Sequence, residues 1–97
     1  SDRLHTGLEI VVTLIESDRL EEAERELVDM RARARGPGER AVVLAEAYLA
    51  LAREGASAAA ERLNDKAFDV QATRNRDYGR YHVDRLQDAG VSATVES

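Results

Sequence analysis

Ninety-seven residues suffice for one small domain, and a balance of 43% hydrophobic to 34% charged residues describes a folded chain rather than a disordered one. A net charge of −5 argues against generic binding to nucleic acid or anionic lipid, and the lack of cysteine excludes a disulfide framework and thiolate chemistry. The longest apolar run, Ile10-Val11-Val12, is far too short to span a bilayer and no signal peptide is visible, so a cytoplasmic location is expected.

With three Tyr, one Phe and no Trp, the core has to be filled by Leu, Val, Ile and many Ala, which suits helices in close approach. One Pro and six Gly leave few breakers. The chain starts at Ser1 and its only Met is Met30, so it reads as an excised domain or a processed chain. Arg- and Ala-rich, nearly Lys-free usage suggests a bacterial, high-GC source.

The first helix is expected to start at Arg3 or Thr6 and end at Glu16. Leu8, Val11, Val12 and Ile15 recur at helical spacing, and Ile10 and Leu14 widen the stripe. A helix so broadly apolar needs neighbours on more than one side. Ser17-Asp18-Arg19 then turns the chain, with Asp18 and Glu21 at capping-box spacing. The second helix, over residues 19–35, carries a narrow stripe of Leu20, Ala23, Leu27, Met30 and Ala34. Glu21, Glu22, Glu24 and Glu26 crowd its start and Arg31, Arg33 and Arg35 its end, an order that complements the helix dipole. Gly36-Pro37-Gly38 breaks the chain. A third helix over residues 39–54 is again apolar on most sides, through Val42, Val43, Leu44, Tyr48, Leu49 and Leu51. After Gly55-Ala56, Ser57 is expected to cap a fourth helix that turns Ala60, Leu63, Ala67 and Val70 inward. A break is expected within residues 72–77. Beyond it a fifth helix, over 76–89, faces inward through Tyr78, Tyr81, His82, Leu86 and Ala89, and residues 91–97 form a flexible tail.

The halves of this pattern repeat at an offset of 37: Leu14 falls on Leu51, Asp18 on Gly55, and Ala23-Glu24-Arg25 on Ala60-Glu61-Arg62. Each unit pairs a broadly apolar helix with a narrowly striped one, the physics of a helical solenoid. Over residues 5–70 the chain resembles the tetratricopeptide-repeat family. Ala23 and Ala60 stand at the family's small residue early in the second helix. Val11 and Tyr48, however, replace the Gly or Ala usual in the middle of the first helix. The resemblance implies an all-α fold in one domain, residues 1–90, of two antiparallel helical hairpins (4–35 and 39–72) and a C-terminal capping helix.

Chemistry-bearing motifs are weak. His5 and His82 lack metal-ligand spacing, and His82-Val83-Asp84 is a lone H-x-D. No phosphate-cradling loop or nucleophile signature occurs, so no enzyme activity, catalytic residue, metal or cofactor is expected. Two Arg clusters, Arg31, Arg33, Arg35 and Arg40, then Arg74, Arg76, Arg80 and Arg85, are read mainly as surface salt-bridge partners. The resemblance implies that the first helices of the two units line a groove, here bearing Leu8, Glu9, Val12 and Glu16, then Glu46, Leu49 and Arg53. Such a surface suits a protein partner or amphipathic peptide. The function expected is therefore a protein–protein interaction module, a scaffold or regulatory domain. A small self-associating bundle or homodimer is the alternative, and a nucleic-acid-associated regulatory domain a third.

Overall fold

The structure, a computed structural model, describes residues 2–34, 39–65 and 79–91, with side chains from His5 onward. The Gly36-Pro37-Gly38 break, the end of the fourth helix with Ala67 and Val70, the break within 72–77 and the end of the tail lie outside the described residues. Five helices, and no strand, occur among those described: α1 (Asp2–Glu16), α2 (Leu20–Arg33), α3 (Arg40–Glu54), α4 (Ala56–Asp65) and α5 (Gly79–Asp88).

α3 is the centre. Each residue from Ala41 to Ala50 is buried, and α3 packs against α1, α2 and α4. A helix apolar all round has to be enclosed, and its four alanines in that stretch allow neighbours close to the backbone. α2 buries only Ala23, Leu27 and Met30, with Leu20 and Ala34 partly covered, as its narrow stripe requires. It lies against α1 where Gly7 faces Met30; a Cβ added at Gly7 would come within 2.8 Å of the Met30 Cγ. Glycine therefore sets how closely these two helices approach.

The turn after α1 differs from expectation. Asp18 adopts φ 61°, and the Arg19 amide donates to the Leu14 carbonyl at 2.8 Å while the Asp18 amide donates to Ile15 at 2.9 Å. This is a Schellman closure of α1, with Asp18 in the left-handed position that usually takes glycine. The expected capping box of Asp18 and Glu21 does not form. Because Asp18 closes α1, Arg19 becomes the N-cap of α2 and makes no side-chain cap bond. Its guanidinium instead grips Glu22 through two hydrogen bonds of 3.0 and 2.8 Å. Asp18→Gly is expected to raise stability by about 0.5–1 kcal/mol, read as a higher midpoint in urea, because it removes left-handed strain from an exposed residue. Asp18→Val should lower it.

Gly55 alone joins α3 to α4, at φ 103°. Ser57 consequently lies inside α4 rather than capping it, and Ala59 is the fully buried alanine where Ala60 was expected. Ala60 is partly covered, whereas Ala23 is wholly buried as anticipated. In α5 the inward face is Gly79, His82, Val83 and Leu86, and Tyr81 is 57% exposed. Gly90, at φ 93°, ends α5 in a second Schellman closure, with the Val91 amide donating to Leu86 at 2.9 Å. Val91, assigned to the tail by sequence, is buried with Leu86 in the common core.

Candidate functional site

Two features combine side chains from several helices. The first is a polar node where α5 meets α1 and α3. His82 is completely buried, occupying a core-facing position between Gly79 and Leu86. Its Nε2 is 2.8 Å from Glu9 Oε2 and its Nδ1 is 2.7 Å from Tyr48 Oη. The carboxylate can only accept, so Nε2 carries the proton and the bare Nδ1 accepts from the Tyr48 hydroxyl. Neutral His82 thus satisfies both ring nitrogens at once. Burial pushes His82 below the ordinary imidazole range, and the Glu9 hydrogen bond opposes this only in part. Burial also drives the Tyr48 phenol far above its usual value, so it remains a hydroxyl and serves as a donor.

Aromatic and cationic groups frame this node. The Tyr48 and Tyr81 rings meet the imidazole edge-to-face, with centroids 5.4 and 5.1 Å away. One turn along α5, Arg85 pairs with Glu16 and lies 5.7 Å from the Tyr48 ring and 5.6 Å from that of Tyr81. His5 Nε2 approaches the same Glu9 oxygen at 3.4 Å. Chemically the node resembles a carboxylate–imidazole–hydroxyl relay, but the hydroxyl belongs to a phenol that burial keeps protonated, and Tyr48 is only 5% exposed. Such a node links α5 to α1 and α3.

The second feature is an open cleft of about 180 Å³ on the other flank of α3. α2 contributes Glu24, Leu27 and Arg31; α3 contributes Glu46, Leu49, Ala50, Arg53 and Glu54; α4 contributes Arg62. Arg31 pairs with Glu46 at 2.9 Å and Arg53 with Glu24 at 2.9 Å. The pairs join 24 to 53 and 31 to 46, so α2 and α3 run in opposite directions, and all four residues line the cleft. Leu27, Leu49 and Ala50 form its floor. Glu46 is buried, and Arg31 also donates to it from Nε, at 3.0 Å, so the carboxyl group keeps a partner in the interior.

Of the seven residues nominated from sequence, five fall on these two features. Glu9 and Glu16 face α5, whereas Glu46, Leu49 and Arg53 line the cleft with α2. Leu8 and Val12 are buried in the core. Helical geometry explains the split: Tyr48, which points to α5, is two residues from Glu46 and so projects from the opposite flank of α3. His82 was passed over because its partners are 34 and 73 positions away in sequence. One local signal existed, since His82 replaces an aliphatic residue in the stripe of Gly79, Val83 and Leu86. Of the two Arg clusters, Arg31, Arg33 and Arg85 each pair with a glutamate. No group of residues suited to hold a metal ion occurs among those described, nor does any described helix have the length and apolarity to cross a membrane. Comparison of the chain with protein-family models, curated proteins and solved structures returns no match.

Proposed function

We propose that this chain is a protein–protein interaction module of tetratricopeptide-like design, and that its open recognition surface is the charged cleft between α2, α3 and α4. The observation that carries this reading is the cleft itself, where three helices supply an apolar floor and a rim of three carboxylates and three guanidiniums. Arg62 on that rim has no ion-pair partner among the described residues, and it can meet a carboxylate of an incoming polypeptide. The solenoid design is supported by the order of packing. α1 packs on α2 and α3 on α4, as two antiparallel hairpins require, while α3 also touches both helices of the first unit. Asp18 and Gly55, equivalent under the 37-residue repeat, both take positive φ at the turns between paired helices.

A photo-crosslinker at Arg62 tests the proposal. It is expected to give a discrete polypeptide adduct in extract of the source cells, whereas the same group at Asp88 on α5 gives none. Arg53→Glu combined with Glu54→Arg, which reverses the rim while leaving helicity unchanged, should abolish the adduct. No adduct from position 62, or one that survives the reversal, would refute the cleft as the recognition surface.

A further inference from the structure

We propose that α5 is a proton-released clasp over the face of α1 that carries Val12: neutral His82 holds the helix down, and acquisition of a proton by His82 lets it go. The argument begins with where α5 is fastened. His82 binds Glu9 and Arg85 binds Glu16. On α1, Val12 lies between these two carboxylates at i+3 from Glu9 and i−4 from Glu16, on the same face. α5 is therefore fastened at both ends of the part of α1 that the sequence marks as apolar and partner-seeking. Its hold depends on His82, Val83, Leu86 and Arg85 rather than on close backbone approach.

Among the described residues, charged and titratable groups face His82 from three helices. α1 presents Glu9, with His5 and Glu16 nearby; α3 presents Tyr48; α5 itself contributes Tyr81 and Arg85. In the docked state the imidazole donates to Glu9 and accepts from Tyr48. A second proton on Nδ1 would point at the Tyr48 hydroxyl, whose own hydrogen then needs another acceptor in a buried site. It would also place a cation near Arg85. Glu9 offsets part of this cost, but burial outweighs it. Released into water, the imidazole returns to its ordinary affinity for protons, near pH 6.5. The released form consequently binds more protons than the docked form. Docking is then complete above about pH 6.5 and weakens as the pH falls below it.

Residue-resolved hydrogen exchange on the whole chain, corrected for intrinsic rates, reads this directly. Protection of the α5 amides and of Val91, relative to α2, is expected to fall by up to about tenfold per pH unit between pH 6.5 and 5. In His82→Gln the amide group can donate to Glu9 and accept from Tyr48 without titrating, so α5 protection should stay level over that range. His5→Gln should keep the wild-type dependence, which assigns the effect to His82 rather than to the other histidine. Wild-type protection that does not change with pH, equal loss in His82→Gln, or a level profile in His5→Gln would overturn the proposal. If His82→Gln already fails to dock α5 at pH 7.5, Glu9→Gln decides. Without the carboxylate that favours the cation, its loss of protection at pH 5 should be at least that of the wild type, and a smaller loss refutes the clasp. These readouts are intramolecular, so their failure leaves the cleft untouched, and the reverse also holds.

Discussion

Val12→Glu is expected to unfold much of the domain rather than to remove a binding surface from an intact one. Val12 is 5% exposed. The substitution forfeits burial of a valine, about 1.5–3 kcal/mol, and forces a carboxylate into an apolar site between Glu9 and Glu16. Like charges at i−3 and i+4 add to the penalty. A loss of about 3–5 kcal/mol follows, which for a chain of this size lowers the melting temperature by roughly 15–30 °C. Thermal melts followed by circular dichroism check this. A variant that melted like the parent would show that Val12 is not part of the core.

Leu44→Ala should produce a loss of similar size by a different route. Leu44 is completely buried on α3, the helix that packs against three others. Its removal leaves a void at the helix against which α1, α2 and α4 pack. Large-to-small changes at such sites cost about 2–5 kcal/mol, from lost transfer energy and the residual cavity. Urea titration should show a lower midpoint at an unchanged slope. A cost below about 1 kcal/mol would mean that the site collapses readily and that α3 is not the packing centre.

The two substitutions act on one core, but the surroundings of their sites predict different behaviour with pH. Val12 lies on α1 between Glu9 and Glu16, the two carboxylates that α5 binds, so a glutamate there should be partly tolerated as acid protonates it and as α5 loosens. Leu44→Ala introduces no titratable group and should keep the pH dependence of the parent. Melts repeated at pH 5 and pH 7.5 separate the two.

Much of the fold was legible in the amino-acid sequence because it depends on neighbours in the chain. The narrow 3-4-3 stripe of Leu20, Ala23, Leu27 and Met30 can bury only one side of α2, and the all-round apolarity of residues 41–50 can only be satisfied at the centre. Helix ends were harder: Asp18 could cap α2 or close α1, and the two uses differ by a single residue in register. Tertiary structure alone decided the rest. A wheel of α1 shows Glu9 and Glu16 on one flank but cannot say that a helix more than sixty residues later brings His82 and Arg85 to meet them. Nor could a shared repeat position reveal that Glu46 turns towards α2 while Glu9 turns towards α5. Local periodicity specifies how much of a helix is buried, because that depends on the helix's own side chains. Which neighbour does the burying depends on how the helices pack together, so both the His82 node and the cleft exist only in the assembled structure.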